Sequence, residues 1–215
     1  AYGADAVRAA VLFMGPPDKE KLWNEDGLAG MYKFLNRLWR QIYDLVGEAG
    51  EDTFFQKDSG KEAAQKLVEQ LNRERHRLVG KVVDDIERNN FNTAIAAVME
   101  LSNAVGEYLR AVPAEMRTQD AELHAFDTEM AEVLVKLMAP FAPHWSEELW
   151  HTPLRNTTSV HEQPWPDFDP SQAVSSEVEL AVQINGKVKT RITVSADAAE
   201  DEIRETALAA VSKAT

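Results

Sequence analysis

Three sets of basic side chains are spaced so that each could neutralise a run of phosphates. Arg73, Arg77 and Lys81 recur every four residues, which stacks them on one face of a helix, and Arg88 lies further along the same stretch. Lys33, Arg37 and Arg40 share the polar side of a second helical pattern, while Lys187, Lys189 and Arg191 alternate along a strand-like run. The chemistry open to such rows is electrostatic: ammonium and guanidinium groups hold phosphate oxygens and displace counterions. Each row is also compatible with an ordinary solvated face, because Glu69, Glu74 and Glu87 stand close by. Spacing alone favours that plainer reading.

Covalent chemistry finds less support. The five histidines, His76, His124, His144, His151 and His161, show no metal-ligand spacing, and His76 is expected on the polar edge of its helix. Glu147-Glu148 and Asp84-Asp85 are the paired carboxylates that acid–base work would need. Adjacent residues on a helix point in different directions, so a solvated face explains both pairs better. A glycine-rich phosphate loop and a nucleophile elbow are absent from the sequence. No catalytic or metal-binding residue is therefore assigned, and recognition remains.

A formal net charge of −13 over 215 residues argues against nucleic acid if taken alone. Net charge is not charge distribution, however, and the three rows show partial segregation of basic residues. With no cysteine, a disulfide framework and thiolate metal ligands are excluded, which is compatible with a reducing compartment. No stretch approaches the roughly 20 apolar residues of a membrane span. The start lacks the basic and apolar regions of a secretory signal. A cytoplasmic, monomeric protein without membrane partners is expected.

The elements that must position these residues are mostly helical. Asp5 is placed to cap a short helix, Ala6 to Met14, which Gly15-Pro16-Pro17 ends. The abrupt Tyr2-Gly3 start suggests a fragment of a longer chain. A second helix spans about 26–46, with Leu28, Met31, Leu35, Leu38, Ile42 and Leu45 as its apolar stripe, widened by Trp39 and Tyr43, and with Gly47 as its stop. A loop carrying Phe54 and Phe55 leads to a capping box, Ser59 with Glu62, and a long helix over about 61–88. Asn89-Asn90 breaks the pattern, and Asn90 or Asn92 can cap a fourth helix that stops at Pro113. A fifth begins near Asp120, and a short helix with Trp145, Leu149 and Trp150 follows Pro140 and Pro143. Residues 152–176 read as an extended, proline-punctuated linker packed by Trp165 and Phe168.

Beyond residue 176 the period becomes two. Val178, Leu180, Val182 and Ile184 face a second run, Val188, Thr190, Ile192 and Val194, across an Asn185-Gly186 turn signal. A plain two-residue turn would pair Ile184 with Lys187 and put basic residues on the apolar face, so an extra residue is expected at the turn. Asp197 can cap a last helix. A hairpin with one helix is too little for a stable core, so this unit is expected to be incomplete. The expected fold class is mainly α: an antiparallel helical bundle followed by a small, truncated α/β unit.

Four stretches carry a resemblance to the C-terminal part of bacterial-type leucyl-tRNA synthetases, which are class I aminoacyl-tRNA synthetases. Tyr2-Gly3-Ala4-Asp5-Ala6-Val7-Arg8 resembles the segment shortly after the family's lysine-rich catalytic loop. Phe91 through Leu101 resembles its anticodon-binding helical domain. Met138-Ala139-Pro140-Phe141-Ala142-Pro143-His144, with Glu147-Glu148-Leu149-Trp150 after it, is shared with the valine, isoleucine and methionine enzymes. Val182 through Lys189 is similar to the leucine enzymes' own C-terminal hairpin. The resemblance implies the end of the stem-contact region over 1–17, the anticodon-binding domain over 18–151, the linker over 152–176 and an incomplete C-terminal domain over 177–215. It implies a role in ATP-dependent attachment of leucine to its tRNA, with ATP and magnesium held in a catalytic core outside this stretch. No cofactor is implied for these residues, and the stretch is expected to be inactive alone. Leucine tRNAs carry several anticodons, so the family implies backbone and shape contacts rather than anticodon readout, with the hairpin's Lys187, Lys189 and Arg191 near the tRNA elbow. The alternatives are a helical protein-interaction module without any RNA role, or the same region of a valine, isoleucine or methionine synthetase.

Overall fold

The computed structural model describes residues 2–20, 22–23, 25–47, 58–173, 177–184, 187–195, 198 and 200–213. The chain forms two compact units, Ala1–Ala173 and Val174–Thr215. The first holds α1 (Ala4–Phe13), α2 (Glu25–Leu45), α3 (Asp58–Glu87), α4 (Phe91–Ala111), α5 (Ala114–Gln119), α6 (Ala121–Met138) and α7 (Pro143–His151), then a single 3-10 turn at Val160–Glu162. The second holds the hairpin β1 (Glu177–Ile184) and β2 (Lys187–Ser195), then α8 (Glu200–Lys213). The expected class, a mainly α bundle followed by a small hairpin-plus-helix unit, is the one observed.

The bundle core sits between α2, α3, α4 and α6. Leu38 and Ile42 from α2, Leu78 and Val82 from α3, Val98 and Leu101 from α4, and Leu134 and Leu137 from α6 are all fully buried. The whole predicted stripe of α2 is inside, whereas Tyr43 remains 43% exposed and stacks on Trp39 at 5.9 Å. Two of these helices carry a buried polar link. Gln41 Nε2 donates to the Ser102 carbonyl at 2.9 Å, and Ser102 Oγ donates to Gln41 Oε1 at 2.7 Å.

Several helix ends differ from their sequence expectations. Asp5 does not cap its own helix, whose N-cap is Gly3. Its carboxylate instead accepts the Trp145 backbone N–H at 2.5 Å and lies 3.0 Å from His144 Nδ1, so it serves the N-terminus of α7. Beside it, Arg8 donates from Nε and Nη2 to the Pro140 carbonyl at 3.2 and 3.1 Å. Asn90 does occupy the N-cap of α4, but its side chain makes no capping bond, and Asn92 lies inside the helix. Asn89 closes α3 instead, at φ 58°. The Asn90 N–H reaches Asp85 O at 2.7 Å and the Asn89 N–H reaches Ile86 O at 3.0 Å, the paired bonds of a Schellman end. The helix expected to begin near Asp120 is α6, and Asp120 caps it, accepting from Glu122 N and Leu123 N. Pro113 follows the end of α4 and stands at the N-cap of α5, an extra helix of six residues. Gly47 has no left-handed backbone. Ser59 lies within α3, which begins at Asp58. Phe54, Phe55, Asn185, Gly186 and Asp197 lie outside the described residues.

As far as Ala173, the stretch expected as a linker packs on the bundle. Val160 is buried and Trp165 packs against the core. Phe168 crosses α3 at Gly80, where an added Cβ would come within 3.0 Å of the ring, so a glycine allows the close approach.

In the second unit the strands are antiparallel. Ile184 is opposite Lys187, Gln183 opposite Val188 and Val182 opposite Thr190, with Leu180 opposite Ile192. The expected extra residue is present, but as a bulge at Lys189 within β2 rather than at the turn. The bulge restores the register in which Leu180 meets Ile192, and Ile192 is buried. It also leaves Val188 on the outer face, 56% exposed.

Candidate nucleic-acid interface

α3 positions the first row, and two of its four cations are committed to carboxylates of the same chain. Arg77 donates to Glu74 at 2.6 Å and to Glu100 of α4 at 2.6 Å, and these carboxylates hold its guanidinium above its usual pKa range. Lys81 pairs with Asp85 at 2.8 Å. Arg88 is exposed and Arg73 half-buried, and neither has an ion-pair partner among the described residues. A cavity of about 420 Å³ beside this edge is lined by Asp84 and Asp85 as well as by Arg77, Lys81 and Arg88, so its charges largely cancel.

α2 positions the second row differently. Lys33, Arg37 and Arg40 are exposed and have no carboxylate partner among the described residues. Arg37 is steadied by an aromatic contact, its guanidinium carbon 5.6 Å from the Phe34 ring centre. A groove of about 430 Å³ runs beside Lys33 and Arg37, lined also by Phe13 of α1, Gly27 and Gly30 of α2, and Met99 of α4. In the hairpin, the side chains of Lys189 and Arg191 are exposed. Lys187 stands opposite Ile184 and Arg191 opposite Ala181, so the bulge breaks the simple alternation that put all three on one side.

Two basic groups that spacing did not single out are buried. Arg75 forms an ion pair with Glu129, and its Nη2 lies 3.1 Å from His76 Nε2. Arg117 is held by Asp127. Their signal was present in the pattern: residues 71, 75, 78 and 82 form one helical face, and Arg75 fills the slot between Leu71 and Leu78. His76 is buried rather than on a polar edge. Its Nδ1 accepts the Asp169 backbone N–H at 3.0 Å, so both ring nitrogens meet N–H donors. Burial and the Arg75 charge push its pKa below the ordinary histidine value.

Two of the remaining histidines, His151 and His161, meet at one carboxylate. Glu147 accepts from Ser159 Oγ and from Val160 N at 3.3 Å, and lies 3.2 Å from His151 Nε2 and 4.0 Å from His161 Nε2. Burial works upward on its pKa, but these donors outweigh it and hold the carboxyl below the usual range. Glu147 thereby fastens the segment after α7. Among the described residues no group of three His, Cys, Asp or Glu is arranged to hold a metal ion, and no described helix is long and apolar enough to cross a membrane.

The chain is similar to known proteins over nearly its whole length. It is 42% identical over 210 residues to the leucine–tRNA ligase of a Geobacter species, covering 97% of this chain and 24% of that protein. It is 37% identical over 211 residues to the leucine–tRNA ligase of Thermotoga maritima, covering 96% of this chain and 24% of that one. The chain thus spans about a quarter of the length of these curated relatives. Among solved structures it matches a LeuRS of Agrobacterium radiobacter, crystallised as a ternary complex with tRNA and LeuAMS. The TM-score is 0.70 at 30% identity, over 99% of this chain and 26% of that one. The model of the anticodon-binding domain of tRNA ligases matches residues 69–204, more than half of the chain. On that match, the chain belongs to the family of anticodon-binding domains of tRNA ligases.

Proposed function

We propose that this chain is the tRNA-positioning part of a leucine–tRNA ligase. The enzyme would attach leucine to its tRNA at the expense of ATP, in the cytoplasm and as a monomer. ATP and magnesium would be bound by parts of that enzyme outside these residues, and the chain alone would be inactive. The observation that carries the proposal is the 42% and 37% identity to leucine–tRNA ligases over 97% and 96% of the chain, together with the anticodon-domain match. The solved relative held tRNA, which supports the same partner here.

The role is mechanical and electrostatic. Exposed cations neutralise phosphates and fix the register of the RNA, while sequence discrimination is left to other contacts. A rigid bundle suits that task, because its four central helices bury their apolar stripes against one another and hold surface rows at fixed separations. The hairpin's Lys187, Lys189 and Arg191 are candidates for a second contact, at the tRNA elbow.

The test is binding of leucine and non-leucine tRNAs to this chain at low and moderate salt. Phosphate contacts predict affinity that falls steeply as salt rises. Complete absence of binding at low salt would overturn the positioning role for this part of the enzyme. Binding indifferent to salt would favour an apolar protein-interaction module instead.

A further inference from the structure

Resting on the tRNA reading above, we infer that the exposed face of α2 is the surface on which the RNA backbone runs, and that the paired Arg77 and Lys81 of α3 are not part of it. The juxtaposition of Lys33 and Arg37 with the groove at Gly27 and Gly30, and of Arg40 next on the same exposed ridge, carries the inference.

The first argument is availability. A cation already bound to carboxylates must give up those bonds to take a phosphate, so its net gain is small. Arg77 holds two carboxylates and Lys81 one. Lys33, Arg37 and Arg40 hold none among the described residues, so a phosphate is the better partner for them. They follow one another at four- and three-residue steps, which keeps them on one ridge of the helix over roughly 10 Å of its axis. Backbone charges of a nucleic-acid strand repeat every ~3.4 Å along a duplex axis, so the ridge reaches more than one phosphate. Arg37 is already steadied on Phe34, which lowers the ordering needed on contact.

The second argument is the shape beside the ridge. Glycine inside an exposed helix is disfavoured by propensity. Packing does not demand it at Gly30: a Cβ there would meet nothing within 4 Å. Gly30 is not at positive φ either. The fold therefore tolerates a side chain at residue 30, and what glycine provides is bare backbone at the groove floor, where a sugar-phosphate chain can approach closely.

This separates binding from stability in one experiment. The probe is a leucine tRNA transcript, titrated onto the 215-residue chain between about 50 and 200 mM salt. Replacing Lys33, Arg37 and Arg40 together by Gln removes three contacts, so the slope of log affinity against log salt becomes shallower by about 2 to 3. At the low-salt end the affinity falls roughly tenfold or more. Gly30→Gln weakens binding while the melting temperature holds or rises, a combination that a structural role for Gly30 does not produce. Arg77→Gln with Lys81→Gln leaves the slope unchanged. Wild-type-like binding by the α2 variants, with loss in the α3 or hairpin variants, overturns the inference and leaves the tRNA reading standing. Absence of binding by the unmodified chain overturns both.

Discussion

Replacing Arg117 by methionine tests whether the short α5 turn is held by one buried ion pair. Arg117 is 4% exposed and Asp127 1% exposed. The Arg117 guanidinium donates to Asp127 Oδ2 at 2.6 Å, to the Asp44 carbonyl at 3.0 Å and to the Val112 carbonyl at 3.3 Å. It also stands 6.0 Å from the Tyr108 ring centre. One side chain thus joins the end of α2, the end of α4, α5 and the middle of α6. Methionine fills similar volume but offers none of these donors. The main loss is the orphaned carboxylate, because a buried charge deprived of its partner costs about 3–5 kcal/mol. Protonation limits that loss, since burial already pushes the Asp127 carboxyl above its usual pKa. We expect Arg117→Met to cost about 3–5 kcal/mol near neutral pH. Pairing it with Asp127→Leu should recover at least about 2 kcal/mol, because apolar replacement of a whole buried pair is often close to neutral. The assay is urea unfolding by tryptophan fluorescence: all five tryptophans lie before residue 174, so the signal reports the first unit alone. A cost below about 1 kcal/mol for the single variant, or a double variant no better than the single, would refute the reasoning.

Two further outcomes are expected. Asp5→Ala removes the acceptor of the Trp145 N–H at the start of α7 and should cost about 1 kcal/mol, the usual worth of a capping bond. Unfolding indistinguishable from the parent would show that water replaces it. The His76 ring has a lowered pKa in the folded state, so as pH falls through about 6.5 the unfolded chain takes up a proton before the native ring does. Its contribution is therefore complete above about pH 6.5 and declines as the pH drops through the native value. Hydrogen exchange at the Asp169 amide, bonded to His76 Nδ1, should quicken relative to the amides of α4 between pH 7.5 and 5.5. An unchanged ratio would sink the idea.

The apolar stripes explain why so much of the helical unit was legible. Leu28 to Leu45, Leu71 to Ile86 and Ala94 to Val105 repeat at helical steps, and a stripe of that width must be buried wherever the helix packs. The start of α6 near Asp120 was legible too, and the cap that forms there is made of local bonds. Asp5 looked like another such cap, but its partner is 140 residues away, and a carboxylate near a helix start does not announce which helix it will serve. His76 read as polar surface because one of its partners, Asp169 N, meets it only after the segment beyond α7 folds back.

The site divides in the same way. The helical class, the hairpin, the need for an extra residue in it, and three rows of cations at regular spacing were all legible before folding. All of these follow from periodicities of the chain, which local geometry converts directly into faces. Which cations remain available depends on partners from within a helix, such as Asp85 for Lys81, and on partners that only folding brings in. Arg77 is taken by Glu100 from another helix, Arg75 and Arg117 are taken inside the fold, and the bulge at Lys189 breaks the alternation of the hairpin's basic residues. The α2 row keeps its charges toward solvent because no carboxylate among the described residues is brought to it. Spacing sets where a charge points, but its partner is set by whatever the fold places opposite, and Coulomb attraction at about 3 Å outweighs any preference written in a single helix.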